Sequence, residues 1–258
     1  DKHLYYWNDF FASVSMGAGA TIIATFTKAI SIGVFFFLFE VFKPLRIEWL
    51  GYESFGWAWY VWIICQLLDD HNYYWYHRLS HTVRVLWAAH IVHHSSEYFN
   101  LGSGIRNGWV TVVYKELFWL WMPIVGFEPI MVATCLGIQA VWQFHLHTKS
   151  IPSMGFLEKF LNTPRQHRVH HARNYEYLDK NHGGFLNIFD RLYGSYLDLD
   201  DHVETKYGVL KPPKSFNPLV IVSHEYVNIW KDVKSAKTWK DRFMYVFGPP
   251  GWSADGST

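Results

Sequence analysis

The sequence predicts an all-α fold, a polytopic membrane helical bundle of about four spans that carries a histidine-rich cap. Three observations lead to this prediction. Apolar stretches close to twenty residues long recur along the chain, and about that length is needed to cross the hydrocarbon core of a bilayer. Half of the 258 residues are hydrophobic and 19% are aromatic, with fourteen Trp. Nine histidines fall in four short groups between or after these stretches.

The predicted spans follow the apolar stretches in order. After the first span we expect a connector that contains Lys43, Pro44 and Arg46. Only Gly126-Phe127-Glu128 separates the last two spans, which predicts a tight helical hairpin. The spans are expected at about 17–42, at 55–68 with a polar helical continuation to His77, at 109–125 and at 129–147.

If these spans alternate in direction, all four histidine groups emerge on the same membrane face. Most Lys and Arg lie on that face, while the opposite face keeps little more than Lys43 and Arg46. Because cytoplasmic loops carry the excess of basic residues, the cap is expected in the cytoplasm. We expect a multi-pass protein of the bacterial inner membrane or, in a eukaryote, of the endoplasmic reticulum. A soluble bundle whose core helices resemble spans is the alternative.

Two regions divide the chain. Residues 1–210 are expected to form a membrane-embedded domain with the histidines, and residues 211–258 a C-terminal segment of the same domain. Within the latter, residues 216–247 alternate apolar and basic side chains, which favours an amphipathic helix at the membrane interface. An ordinary packed helix is the alternative. The net charge of +1 gives no sign of a nucleic-acid partner.

The histidine groups have the spacings H-x-x-x-H, H-x-x-H-H, H and H-x-x-H-H. Residues three or four apart share one helix face, so each group can direct two or three imidazoles to one point. Ligands that are all nitrogen suit zinc, copper, iron or nickel rather than calcium or magnesium. One ion rarely takes more than about six ligands, so nine imidazoles predict two ions side by side. The predicted ligands are His77, His81, His90, His93, His94, His147, His167, His170 and His171.

A lone buried histidine is more often a hydrogen-bonded core residue than a ligand. Here twelve of the fifteen histidines fall between His71 and His182, and two copies of H-x-x-H-H lie in that window. A purely structural zinc site needs only four ligands, so the surplus favours chemistry. His71 and His145 lie off the helix stripes of the groups and are expected to be non-ligands, while His182 is left open.

Carboxylates are expected around a site that concentrates positive charge. Asp70 lies on one helix stripe with His77 and His81, and we predict that it orients a histidine of another helix. A carboxylate that merely ends a span is the alternative. Glu97 and Asp179 are weaker candidates of the same kind.

The histidine groups, in this order and spacing, resemble those of the fatty acid hydroxylase and sterol desaturase superfamily. The flanking motifs resemble the branch of that superfamily that holds the alkylglycerol monooxygenases. One departure is Gln143, which stands where some members have a further histidine; Gln166 also replaces a residue that is often histidine in that branch. The motifs are Leu68-Asp69-Asp70, Tyr73-Tyr74-Trp75-Tyr76-His77-Arg78, His93-His94-Ser95-Ser96-Glu97, Asn162-Thr163-Pro164, Leu178-Asp179-Lys180-Asn181-His182-Gly183-Gly184 and Asp190-Arg191-Leu192-Tyr193-Gly194-Ser195.

The resemblance implies an enzyme that uses two iron ions and O2 to hydroxylate an unactivated C–H bond of a lipid of alkylglycerol, sterol or fatty acyl type. Electrons are expected from an external reductant, either a reduced pterin or an electron-transfer protein, because no flavin or nicotinamide motif is present. Desaturation of a lipid at the same site is one alternative.

Two further hypotheses come from other classes. A membrane hydrolase with two zinc ions would activate water, but such enzymes generally use bridging carboxylates, and the histidine motifs contain none. A metal-transport protein would need polar residues along the spans, and these spans carry few.

Overall fold

The computed structural model describes residues 5–256, and their regular structure is helical, without a β-strand. This confirms the predicted all-α class. Pairing of the β type is limited, within these residues, to the isolated bridges Leu161–Leu186 and Ala172–Tyr207. The helices are α1 Trp7–Leu50, α2 Trp59–Thr82, α3 Arg84–His94, α4 Leu101–Ile105, α5 Thr111–Tyr114, α6 Trp121–Val125, α7 Pro129–His145, α8 Pro164–His170, α9 Ile188–Leu192, α10 Pro218–Ser235 and α11 Trp239–Phe247.

Helix α1 is 44 residues long, and most of its apolar side chains are exposed. Among residues 5–256 it is the one helix that is both long enough and apolar enough to cross a membrane. Helix α7 has 17 residues and follows α6 through a turn at Gly126, whose φ of 111° suits a residue without a Cβ. The tight turn expected at 126–128 is therefore present, but it follows the five-residue α6 rather than a spanning helix.

The connector expected at Lys43-Pro44-Arg46 is wrong, because α1 continues through Pro44 to Leu50. The guanidinium of Arg46 is buried just beyond the proline. It donates to the carbonyl oxygens of Phe39 at 2.8 Å, Glu53 at 2.8 Å and Ile124 at 3.1 Å. Arg46 thus ties the end of α1 to α6.

The single span expected at 109–125 is also wrong, since this stretch is broken into α5, a 3₁₀ turn at Lys115–Trp119 and α6. The turn directs two side chains towards α2. The Trp119 indole donates to Asp69 at 2.7 Å, and the Lys115 ammonium lies 5.4 Å from the ring centre of Tyr73. These polar contacts replace the regular helix that the apolar composition predicted.

The largest buried cluster lies between α2, α7 and the 114–127 segment. Cys65 and Cys135 face each other within it with their sulfur atoms 3.6 Å apart, and both are free thiols. The cluster packs α2, whose C-terminal end carries predicted histidines, against α7.

The segment at 216–247 forms two helices rather than one. Ile221 of α10 is fully buried against Ala12 and Met16 of α1 and Val92 of α3. Arg84 of α3 forms ion pairs across this contact, to Glu225 at 2.9 Å and Asp232 at 2.7 Å. Helix α10 is therefore packed on the histidine-bearing helices, whereas α11 keeps Trp239, Phe243 and Phe247 exposed.

Replacing Arg46 by Met should destabilise the fold, because several buried carbonyl groups lose a charged donor. We expect a loss of about 2–4 kcal/mol in the free energy of unfolding. Lys43→Met is the matched control, since Lys43 lies one turn earlier with a more exposed side chain. Thermal unfolding of the detergent-solubilised chain measures the difference. Equal midpoints for the two variants would contradict the role given to Arg46.

Candidate metal centre

The nine predicted histidines converge into two adjacent groups at the ends of α2, α3, α7 and α8. Within each group the candidate ligand nitrogens all lie within 4.8 Å of one another. The structure thus brings together every histidine that the spacing singled out. The five-histidine group contains His77, His81, His90, His94 and His170, and the four-histidine group contains His93, His147, His167 and His171.

The helix period explains why each H-x-x-H-H motif serves both groups. Neighbouring residues on a helix point about 100° apart, whereas residues four apart point nearly the same way. On α3, His90 and His94 therefore join the five-histidine group, and His93 turns to the other. The motif that begins in α8 splits in the opposite sense, and its middle member, His170, joins the five-histidine group.

The nitrogen spacing fits metal ions. The Nε2 atoms of His77 and His90 are 3.0 Å apart, and those of His147 and His167 are also 3.0 Å apart. With metal–nitrogen bonds of about 2.0–2.1 Å, two ligands at right angles on one ion lie about 3.0 Å apart. The observed separations are therefore compatible with a shared ion that holds its ligands at about this angle.

Backbone carbonyl groups fix the orientation of four rings. Nδ1 of His77 donates to the His182 carbonyl at 2.9 Å, and Nδ1 of His170 donates to the Lys180 carbonyl at 2.9 Å. A carbonyl oxygen only accepts, so Nδ1 carries the hydrogen and Nε2 is left with a lone pair that faces its group. This second contact is the usual way in which a protein orients a histidine ligand.

The facing pair of His93 and His147 makes the strongest case for a cation. Their Nδ1 atoms donate to the carbonyls of Arg106 at 3.0 Å and Gln143 at 2.9 Å. Both Nε2 atoms therefore carry lone pairs, yet they are 3.1 Å apart. Two lone pairs at this distance repel each other, and a metal ion between the rings turns the repulsion into coordination.

Burial keeps these rings in the neutral form that binds metals. Desolvation lowers the pKa of His93 to about 4, although its hydrogen bond to Arg106 opposes the shift. Desolvation also lowers the pKa of His170 to about 3. Neutral imidazole is therefore the form present near neutral pH, and no proton has to leave before an ion binds.

Asp70 was expected to orient a histidine of another helix, but its carboxylate contacts backbone amides instead. Its carboxylate accepts from the backbone amides of Phe185 at 2.6 Å and Leu186 at 2.9 Å. We name residues 182–186, which include these two, the clamp loop. The expected direct contact is corrected to an indirect one, because the same loop supplies the His182 carbonyl to His77. Asp70 is buried where α2 meets this loop. A contact with a loop so distant in sequence cannot be recognised from residue spacing.

Sequence reasoning missed the buried ion pair of Arg106 and Asp9. Arg106 donates to Asp9 at 2.6 Å, and the Ser96 hydroxyl donates to the other carboxylate oxygen at 2.6 Å. Because the Arg106 carbonyl holds His93, this pair connects the first turn of α1 to the four-histidine group. A lone carboxylate inside an aromatic stretch, as at Asp9, was the available sign that a buried partner exists.

Aromatic side chains close the four-histidine group on one side. Phe99 is buried, and its ring centre lies 5.4 Å from that of His171 and 5.7 Å from that of His147. Tyr207 stacks on the outer face of Phe99 at 5.0 Å. Helix α4 approaches from another side, where a Cβ at Gly104 would lie 3.0 Å from the His147 side chain.

The remaining candidates lie outside both groups. His71 contacts the Tyr193 hydroxyl, and His145 donates to the carbonyl of Trp142. The Gln143 amide donates to the Gly184 carbonyl at 2.6 Å and so holds the clamp loop. His182 lies at the edge of the five-histidine group, with its ring centre 5.0 Å from that of His81.

The two weaker carboxylate candidates, Asp179 and Glu97, lie in different surroundings. Asp179 lies beside the ring of His81, with 3.5 Å between a carboxylate oxygen and Nδ1. Glu97 instead pairs with Arg173 at 3.1 Å near the surface. Of the two, Asp179 is the one that contacts a predicted ligand.

Comparison with known proteins agrees with this site. The family described as Fatty acid hydroxylase matches residues 62–195, which include all nine histidines. An alkylglycerol monooxygenase from Homo sapiens is 32% identical over 246 residues, covering 95% of this chain and 53% of that protein. A Delta(7)-sterol 5(6)-desaturase from Gibberella zeae is 25% identical over 167 residues, covering 62% of this chain and 49% of its own length. An ornithine lipid hydroxylase from Rhizobium tropici is 27% identical over 151 residues, covering 55% of this chain and 44% of that protein.

The chain belongs to the fatty acid hydroxylase family, within the superfamily that also holds sterol desaturases. The predicted resemblance is therefore confirmed. The chain spans about half the length of the alkylglycerol monooxygenases that it matches. No solved structure matches it significantly.

Replacing single histidines should weaken metal binding one group at a time. His93→Ala is expected to lower the affinity of the four-histidine group by at least about 10-fold, and His170→Ala that of the five-histidine group. His145→Ala is the control, because its ring lies outside both groups. Elemental analysis after dialysis against a chelator measures the retained metal. Wild-type retention in His93→Ala would contradict the assignment of His93.

Acidification should destabilise the metal-free protein. The folded-state pKa of His93 is about 4, below its ordinary value of 6.5. Between these pH values this histidine is protonated in the unfolded chain and neutral in the folded chain. Its contribution to the free energy of unfolding is therefore complete above about pH 6.5 and falls as the pH drops towards 4. Denaturant titrations at several pH values measure the slope. A stability that is flat across this window would contradict the buried, neutral state of the histidines.

Proposed function

We propose that this chain is a membrane-embedded oxidoreductase that uses two iron ions and O2 to hydroxylate an unactivated C–H bond of a lipid. The observation that carries the proposal is the convergence of nine buried histidines into two adjacent groups. The metal-candidate groups among residues 5–256 contain no carboxylate. Imidazole ligation suits iron, whereas a dinuclear hydrolase generally relies on bridging carboxylates.

The residues present fit two such ions. The five-histidine group would hold one ion and the four-histidine group the other, each through neutral rings. Bound iron would supply redox chemistry with O2 at the coordination positions that histidine leaves free. Because the four-histidine group provides fewer ligands, we infer that O2 and the lipid approach from its side.

The protein's own side chains prepare that chemistry. The carbonyl groups at residues 106 and 143 keep His93 and His147 oriented before any ion binds. Phe99 and the Tyr207 ring stacked on it keep water from one side of the four-histidine group. A dry, preorganised site of this kind favours reaction with a lipid carbon over unproductive reaction with solvent.

We propose a multi-pass membrane location in which α1, the N-terminal half of α2 and α7 lie in the bilayer, with the histidines on the cytoplasmic face. The exposed apolar side chains of α1 and the basic residues around the histidine helices support it. Residues 1–210 and 211–258 would form one domain, since α10 packs on α1 and α3. The expected partners are a lipid from the bilayer and an external reductant, either a reduced pterin or an electron-transfer protein.

The test is isotope incorporation from ¹⁸O2. The full chain in lipid nanodiscs, loaded with Fe²⁺ and given a chemical reductant, is incubated with alkylglycerol, sterol and fatty acyl lipids in turn. We expect one of these classes to gain a single ¹⁸O atom, and the His93→Ala variant to give none. Mass spectrometry of the extracted lipids measures the gain.

Other products would change the assignment. A lipid that loses two hydrogen atoms and gains no oxygen would favour desaturation, the reaction in the printed name of the Gibberella zeae relative. Product formation that needs zinc and is independent of O2 would favour the hydrolase. Tight metal binding without turnover of any lipid class would contradict the proposed oxidation.

A further inference from the structure

The clamp loop, residues 182–186, is held between two buried carboxylates that come from different parts of the chain. Asp190 accepts from the backbone amides of His182 at 2.7 Å and Gly183 at 2.7 Å. On the other side, Asp70 accepts from the amides of Phe185 and Leu186. Each carboxylate uses both oxygens on this loop, so four of its five backbone amides have a charged acceptor.

The loop has little freedom between these contacts. A Cβ at Gly184 would overlap the amide nitrogen of Gln139 and lie 2.5 Å from Asp70, and a Cβ at Gly183 would lie 2.6 Å from Asp190. The Asn162 amide donates to the Gly183 carbonyl at 2.6 Å. Close packing and these hydrogen bonds therefore restrict the position of the loop.

One group of this loop acts on the metal centre. The His182 carbonyl accepts from Nδ1 of His77 at 2.9 Å. This hydrogen bond keeps Nε2 of His77 unprotonated, and that nitrogen lies 3.0 Å from Nε2 of His90. The backbone amide of the same residue, His182, donates to Asp190 at 2.7 Å. His182 is therefore held by Asp190 through its amide and contacts His77 through its carbonyl.

A second chain of hydrogen bonds ties Asp190 to helix α2. The Ser195 hydroxyl donates to Asp190 at 2.8 Å and lies 2.8 Å from the hydroxyl of Tyr74. Arg78 donates to the same tyrosine hydroxyl at 2.7 Å. Since Tyr74 precedes His77 by one helical turn, Asp190 fixes the loop relative to the helix that carries the ring.

We propose that Asp190 is a positioning residue for His77, acting through the clamp loop to keep the five-histidine group in its ligating geometry. The inference rests on the proposed function, because it takes the histidines to be metal ligands. Asp190 touches neither a candidate ligand ring nor the space between the groups. Asp190 holds the 182–183 end of the loop, which supports His77, whereas Gln143 holds the Gly184 carbonyl, so the larger effect falls on the five-histidine group.

The experiment measures metal release from the full chain in detergent, loaded with Co²⁺ and mixed with excess chelator. Visible Co²⁺ absorption reports each bound ion. The His170→Ala and His93→Ala variants identify the kinetic phases of the five- and four-histidine groups. In Asp190→Asn, one backbone amide faces an NH2 group instead of an acceptor. We expect release from the five-histidine group to accelerate at least about 10-fold, and by a clearly larger factor than release from the four-histidine group.

Two further variants complete the test. Asp198→Asn, at an exposed carboxylate bonded to the hydroxyl of Tyr196, is the matched control and should release both ions at the wild-type rates. Ser195→Ala keeps both amide contacts of Asp190 but loses one of its restraints. It should accelerate the same phase by a smaller factor, and it decides the question if Asp190→Asn does not fold.

Equal acceleration of both phases would show general loosening and overturn the inference. Unchanged phases in Asp190→Asn would overturn it too, as would an unaltered five-histidine phase in Ser195→Ala if only that variant folds. A wild-type chain that binds no Co²⁺ would instead reject the proposed function.

Discussion

The structure depends on the burial of nine imidazoles in two adjacent groups, in which the lone pairs of His93 and His147 face each other. The Nε2 atoms of these two rings lie 3.1 Å apart without a shared hydrogen, so the arrangement is unfavourable unless a cation lies between them. Backbone carbonyl groups at residues 106, 143, 180 and 182 hold the opposite side of four rings and prevent them from turning away. The surrounding fold can be understood as the set of contacts that keeps these carbonyl groups in place.

Those contacts come from every part of the chain. Asp9 near the start of α1 holds Arg106, and α7 and the clamp loop are joined through Gln143. Two carboxylates, Asp70 and Asp190, hold the loop that supports His77. Buried charges of this kind are costly when unpaired. Each of these carboxylates holds a residue or loop whose backbone carbonyl orients a histidine, which indicates that orientation of the rings is what they provide.

The sequence predicts which histidines come together because the relevant pattern is local. Spacings of three and four residues place histidines on one helix face whatever the tertiary fold, and both H-x-x-H-H motifs behave in this way. The direct role expected of Asp70 failed because its partner lies 115 residues away in a loop with no periodic pattern. Asp190 begins one of the motifs that resemble the family, but nothing in the sequence indicates which backbone amides donate to its carboxylate. The break at 115–119 was equally hidden, since it depends on the contact of Trp119 with Asp69.

The central claim is that the two histidine groups hold two iron ions through nitrogen ligands. The most direct measurement is iron quantification together with X-ray absorption at the iron edge, on tag-free protein purified after growth in iron-replete medium. We expect about two irons per chain, each with a first coordination shell dominated by histidine nitrogen at about 2.0–2.2 Å. Two zinc ions that iron does not displace would contradict the assignment of iron, as would iron bound mainly through carboxylate oxygen.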